Sequence, residues 1–145
     1  MRESGVWMYA CVNLAHILGI ASLFGAILVV DLRLMGFRRR IPLTAISEAA
    51  VPVATAGFAM AVLSGICLLA TKATEYEGNP FLYIKFAFIF LGMLNVVVLS
   101  LSASWKARKM PEPSTLGTSG LAVFGSISLF CWVAAVAAGR MIGYW

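Results

Sequence analysis

Four long apolar stretches alternate with short polar segments along the chain, and this alternation predicts four transmembrane helices. The stretches cover about residues 7–30, 49–70, 81–103 and 119–139. Each has about the 20 residues that an α-helix needs to cross a bilayer at a rise of about 1.5 Å per residue. The predicted fold is all-α: an antiparallel four-helix transmembrane bundle, with residues 1–145 forming a single integral membrane domain.

The composition supports this prediction and narrows the possible functions. Hydrophobic residues make up 61% of the chain and charged residues 12%, whereas a soluble domain has about 25% charged residues. The first apolar stretch is longer than the apolar core of a signal peptide, so we expect it to be a retained span. The cysteines are far apart in sequence, which argues against a Cys-x-x-Cys redox site; they are Cys11, Cys67 and Cys131.

The distribution of lysine and arginine predicts the orientation of the chain. Residues 31–48 and 104–118, which form the first and third loops, carry seven of them. The N-terminus, the second loop (residues 71–80) and the C-terminus carry three, or four if Lys85 is included. Positively charged loops stay in the cytoplasm. We therefore expect a multi-pass protein of the bacterial cytoplasmic membrane with both termini in the periplasm.

Small residues at a spacing of four predict where the helices pack closely. Gly57, Ala61 and Gly65 form two consecutive small-xxx-small steps in the second span. In the first span, Gly19 and Gly25 each follow an alanine by four residues. Such pairs let helix backbones approach each other. We expect these five residues to lie at helix–helix contacts.

His16, the single histidine, is the strongest candidate for a site because it lies within the first span. Ionisable residues within a membrane are functional candidates. One interpretation is an axial ligand of haem b or a metal ion, with Met60 or Met93 as a weaker candidate for the second ligand. The other is a hydrogen bond across the bundle to Asn95, a serine or a backbone carbonyl. The sequence leaves the cofactor open.

Charged residues at the ends of the spans are candidates for ion pairs or interfaces. Asp31 lies at the predicted cytoplasmic end of the first span, where a helix terminus disfavours an anion. We expect it to pair with Arg33, or with Lys106 or Arg108 of the third loop. The alternative is that this cluster docks a partner subunit or a lipid head group.

A second group of charged residues lies at the opposite, predicted periplasmic, side. Lys85 and Arg140 fall there together with Glu75 and Glu77. A solvated or ion-paired rim is the simpler interpretation, and a binding site for a periplasmic partner is the alternative. Asn95 lies deeper in the third span and is an interface candidate.

Short motifs along most of the chain resemble a family of small, uncharacterised four-span bacterial integral membrane proteins. These motifs are His16-Ile-Leu-Gly19, Asp31-Leu-Arg33, Asn79-Pro80-Phe81 and Gly139-Arg140-Met-Ile-Gly-Tyr144. The family is distantly similar to the membrane domains of copper-resistance proteins and to small b-type cytochromes. Its members often carry a further histidine late in the third span, where this chain has Val98-Leu99-Ser100. The resemblance implies the fold but no activity.

No constellation of catalytic residues is recognisable in the sequence. There is no nucleophile–histidine–acid set and no glycine-rich phosphate loop, and Asp31 is the single aspartate. We therefore predict a non-enzymatic accessory or assembly subunit of a larger bacterial membrane complex. The alternative is a membrane electron carrier that binds haem b or a metal through His16. The expected partners are the lipid bilayer and other membrane subunits or a second copy, and not nucleic acid.

Overall fold

The computed structural model describes residues 3–71, 74, 77–107, 109 and 118–144. The described part of the chain is helical and contains no strand, which confirms the predicted all-α class. Its helices are α1 (Glu3–Leu34), α2 (Leu43–Thr71), α3 (Pro80–Leu101), α4 (Ala103–Ala107) and α5 (Thr118–Met141), followed by a 3₁₀ turn at Ile142–Tyr144. Four of them, α1, α2, α3 and α5, are long and apolar enough to cross a membrane.

The helix boundaries differ most from the predicted ones at both ends of α1, which begins at Glu3, and at the start of α2. Helix α1 continues to Leu34, so Asp31 and Arg33 are part of the helix rather than of the first loop. Helix α2 begins at Leu43, six residues before the predicted start of the second span, and runs without interruption through Pro52.

The turn after α1 has the hydrogen bonds of a Schellman motif. The amide of Phe37 donates to the carbonyl of Leu32, and that of Gly36 to the carbonyl of Arg33. Gly36 has a φ of 97°, which favours glycine at this position. Helix α3 starts at an equally specific signal, since the side chain of Asn79 accepts a hydrogen bond from the amide of Phe81.

The bundle consists of two helix pairs, α1 with α2 and α3 with α5, which are joined mainly between α1 and α5. The first pair is closest at two glycines. A Cβ atom on Gly57 would lie 2.6 Å from the backbone nitrogen of Leu23, and one on Gly19 would lie 2.7 Å from that of Ala61. Only glycine allows this approach. Gly65 also faces α1, where it lies against the ring of His16.

Gly25 does not pack against another helix among the described residues. It is exposed, and a Cβ atom there would meet nothing within 4 Å. It shares the spacing of the packed glycines but lies on a face of α1 that α2 leaves uncovered.

Trp132 of α5 occupies the centre of the bundle and is 5% exposed. Its ring packs edge-on against Phe58 of α2, with the centroids 6.4 Å apart. Gly92 of α3 makes room for the indole, since a Cβ atom there would lie 3.2 Å from the ring. One aromatic side chain therefore contacts both helix pairs.

Candidate intramembrane polar site

His16 is bonded to α2 across the closest helix pair. Its Nδ1 lies 2.9 Å from the carbonyl oxygen of Ala61 and 3.1 Å from the hydroxyl of Ser64. A carbonyl oxygen only accepts hydrogen bonds, so Nδ1 carries a proton in the bond to Ala61, and in the neutral imidazole Nε2 keeps its lone pair. The hydroxyl of Ser64 in turn donates to the carbonyl of Met60. Of the partners expected for His16, the structure shows a carbonyl and a serine.

Lys85 brings a third helix to the same region. It lies within electrostatic range of His16, and the end of its side chain packs against Gly139 of α5. A Cβ atom on Gly139 would lie 3.5 Å from Cε of Lys85, so the glycine makes room for the lysine. In the described part of the chain no carboxylate contributes to the electrostatic environment of Lys85. Of the two glutamates expected beside it, Glu75 lies outside the described residues.

The structure places the candidate haem and metal ligands as follows. Met60 is 37% exposed and Met93 is half-buried, and neither sulfur is a hydrogen-bonding partner of His16. Among the described residues no group of three histidine, cysteine or acidic side chains could hold a metal ion. Because Nδ1 of His16 bonds to the carbonyl of Ala61, any ligation of a haem or metal ion by this residue would use Nε2.

Asp31 is bonded to α5 and not to Arg33, which corrects the expected ion pair. Its side chain is 3% exposed and accepts a hydrogen bond from the hydroxyl of Ser128, while Oδ2 has no partner. Arg33 instead donates to the carbonyls of Ile41 and Arg39 in the loop. Two residues along a helix differ by about 200° in direction, so Asp31 and Arg33 point to opposite sides.

The other basic residues expected near Asp31 do not replace Arg33. Lys106 is exposed on α4 and is not part of the described environment of the carboxylate. Arg108 lies outside the described residues. The carboxylate is therefore held by a hydroxyl within the bundle.

Asn95 of α3 bonds to α5 close to the contact between Asp31 and Ser128. Its Nδ2 donates to the carbonyl oxygen of Phe124 over 3.1 Å, and Phe124 lies one helical turn before Ser128. The hydrogen bonds of Asp31 and Asn95 thus connect α1 and α3 to the same turn of α5. Asn95 was an expected partner of His16, but the two residues bond to different helices.

Arg140 makes local contacts. Its guanidinium donates to the hydroxyl of Tyr144 over 2.7 Å and lies 5.0 Å from the centre of that ring. Nearby, Asn79 is 1% exposed and donates to the carbonyl of Ile142 over 3.4 Å, which connects the start of α3 to the end of the chain.

Sequence reasoning assigned no role to three polar residues of the spans. Ser128 holds Asp31, and Trp132 has a buried indole nitrogen without a partner. Asn13 is exposed on α1, and none of the hydrogen bonds of the described residues involves it. Helical periodicity could have marked Ser128 and Trp132, which are four residues apart on one face of α5.

The polar side chains inside the bundle are thus suited to holding helices together. His16 connects α1 to α2, Asn95 connects α3 to α5, and Asp31 connects α1 to α5. Comparisons with protein-family models, curated proteins and solved structures gave no match. The resemblance to small four-span bacterial proteins therefore stays a prediction from short motifs.

Proposed function

We propose that this chain is a non-enzymatic accessory or assembly subunit of a larger bacterial membrane complex. The observation that carries the proposal is the position of Asn13, an exposed carboxamide within the first span. Lipid tails offer no hydrogen-bonding partner, so a carboxamide in a span gains energy by bonding to another helix. No helix of the described structure supplies that bond, which favours a helix of another subunit.

The surroundings of Asn13 suit a contact with another helix. Ile17 and Ala21 follow it on the same face of α1 at a spacing of four residues, and Ala10 precedes it by three. All are exposed in this chain. The face therefore combines one polar group with small and aliphatic side chains, as membrane helix contacts commonly do.

The polar groups inside the bundle also favour a structural role. His16, Asp31 and Asn95 each bond to a neighbouring helix. The contact between His16 and Ser64 does not have the direction of a nucleophile–base pair, because Nδ1 donates to the carbonyl of Ala61 and the Ser64 hydroxyl donates to the carbonyl of Met60. Activation of a serine nucleophile needs a base that accepts the proton of its hydroxyl.

We further propose that the chain lies in the bacterial cytoplasmic membrane with both ends in the periplasm. The turn with Arg38, Arg39 and Arg40 would then be cytoplasmic, following the distribution of positive charge. Two variants, each with a single cysteine in a cysteine-free background, test this orientation. A cysteine at position 39 should be labelled only after the cells are permeabilised, whereas a cysteine at position 77 should be labelled in intact cells. Labelling of the Arg39 position in intact cells would show that the chain has the opposite orientation.

One observation favours the alternative function, an electron carrier that binds haem b or a metal. An imidazole that binds a metal usually donates a hydrogen bond from its second ring nitrogen to a carbonyl or carboxylate. Nδ1 of His16 bonds to the carbonyl of Ala61 in this way. Nε2 would then be the ligand. Because the chain has a single histidine, a second imidazole would have to come from another subunit.

Mild extraction from the native membrane tests both functions. We expect the wild-type chain to co-purify with a membrane protein at a fixed stoichiometry. Asn13→Leu should lower the affinity for that protein about threefold to thirtyfold, because a hydrogen bond between membrane helices contributes about 0.6–2 kcal/mol. Thr55→Val is the matched control, since Thr55 is also exposed but its hydroxyl bonds to the carbonyl of Val51 in its own helix.

The same preparation distinguishes the two functions by its spectrum. Association that depends on Asn13, without a stoichiometric haem or metal signal, would support the accessory subunit. A reduced-minus-oxidised haem spectrum that disappears in His16→Ala would support the electron carrier. If wild type and Asn13→Leu associated equally well with the membrane protein, Asn13 would not lie at a subunit contact, and the accessory role would lose its main support.

A further inference from the structure

An apolar groove opens between α1 and α2 in the part of this helix pair nearest the connecting loop. It has a volume of about 510 Å³, and every residue that lines it is apolar. Gly25 and Val29 form one wall, and Ala45, Ala49 and Val53 form the other. The absence of a side chain at Gly25 leaves this part of the α1 surface open.

A fixed basic turn lies at one end of the groove. Arg38, Arg39 and Arg40 are exposed and directly precede Ile41, which lines the groove. Arg33 holds this turn by donating to the carbonyl of Ile41 over 2.7 Å, and the amide of Ile41 donates to the carbonyl of Arg38 over 3.1 Å. None of the three arginines pairs with a carboxylate in the described structure.

We propose that this groove binds an acyl chain of an anionic phospholipid, whose phosphate group lies against Arg38–Arg40. Charge complementarity selects this occupant. The groove alone would accept any aliphatic chain, but three arginines without a carboxylate partner favour an anion beside its end. An anionic phospholipid carries both parts in one molecule. Asn13 lies about 18 Å from Gly25 along α1, so this site is independent of the proposed subunit contact.

The dimensions of the groove agree with a lipid tail in one leaflet. Its α2 wall runs from Ala45 to Val53, about 12 Å at a rise of 1.5 Å per residue. One leaflet contributes about 15 Å to the hydrocarbon core. Because the groove starts beside the basic turn, a lipid with its phosphate at the arginines would place its tail along the groove.

Native mass spectrometry with two lipids tests the site. Phosphatidylglycerol and phosphatidylcholine with identical acyl chains are titrated onto the delipidated full-length chain, and their dissociation constants are compared. We expect phosphatidylglycerol to bind at least about tenfold more tightly. Arg38→Gln and Arg40→Gln should each weaken its binding about fivefold. Lys106→Gln with Lys109→Gln, which removes two exposed charges after α3, is the matched control and should have no effect.

A second set of variants tests the groove. Gly25→Leu would place a side chain in open space and should weaken phosphatidylglycerol binding at least about fivefold without lowering the melting temperature. Ala49→Leu, on the opposite wall, provides the same test independently. Equal binding of the two lipids would overturn the proposal. Unchanged phosphatidylglycerol binding in both groove variants would also overturn it. A change of oligomeric state in these variants without a change in lipid binding would likewise overturn it, because it would show that the groove binds a helix of another copy.

Discussion

Gly57→Leu should lower the free energy of unfolding by about 3 kcal/mol, at the upper end of the usual cost of overpacking. A Cβ atom at this position would lie 2.6 Å from the backbone nitrogen of Leu23 and 2.9 Å from the carbonyl oxygen of Gly19. Both are main-chain atoms, which cannot rotate away as a side chain can. Helices α1 and α2 would have to separate, and the bond from His16 to Ala61 would lengthen. Reversible unfolding in mixed detergent micelles measures the loss.

Gly25→Leu is the control for this prediction, because it makes the same substitution in the same helix pair. Its new side chain would meet nothing within 4 Å, and leucine favours a helix more than glycine does. We therefore expect its stability to equal or exceed that of the wild type. If Gly57→Leu were as stable as Gly25→Leu, the two helices would not be in contact at Gly57.

The contrast between these glycines shows how far sequence pattern predicts packing. A spacing of four marks residues that share a helix face, and it marked Gly57 and Gly25 alike. It does not specify which neighbouring helix covers that face or how much of it is covered. Gly19 and Gly57 meet because α1 and α2 approach closely at their level, whereas Gly25 lies where the groove opens.

The polar residues show a second limit of sequence reasoning. The apolar stretches predicted the four long helices, but backbone carbonyls carry no sequence signal. The choice of Ala61 as the partner of His16, and of Phe124 as the partner of Asn95, could therefore not be predicted. The error at Asp31 had a different cause. Because α1 continues past the predicted end of the span, Asp31 faces Ser128 and Arg33 faces the loop.

Gly125→Leu should separate the two helix pairs, because it lies where α1 and α5 meet. A Cβ atom there would lie 2.8 Å from the carbonyl oxygen of Asp31 and 3.0 Å from Cβ of Leu34. Displacing α5 from α1 would also break the hydrogen bond between Ser128 and Asp31, leaving a buried carboxylate without a partner. We expect a loss of about 2–3 kcal/mol in the free energy of unfolding.

Gly120→Leu is the matched control in the same helix, since Gly120 is exposed and a Cβ atom there would meet nothing within 4 Å. Unfolding can be followed separately in each helix pair by cysteine accessibility, at Ser64 in the first pair and at Asn95 in the second. In the Gly125→Leu variant the two unfolding transitions should no longer coincide, whereas in the control they should. Coincident transitions at wild-type stability in Gly125→Leu would show that the pairs are joined elsewhere, for example through the ring contact of Phe58 with Trp132.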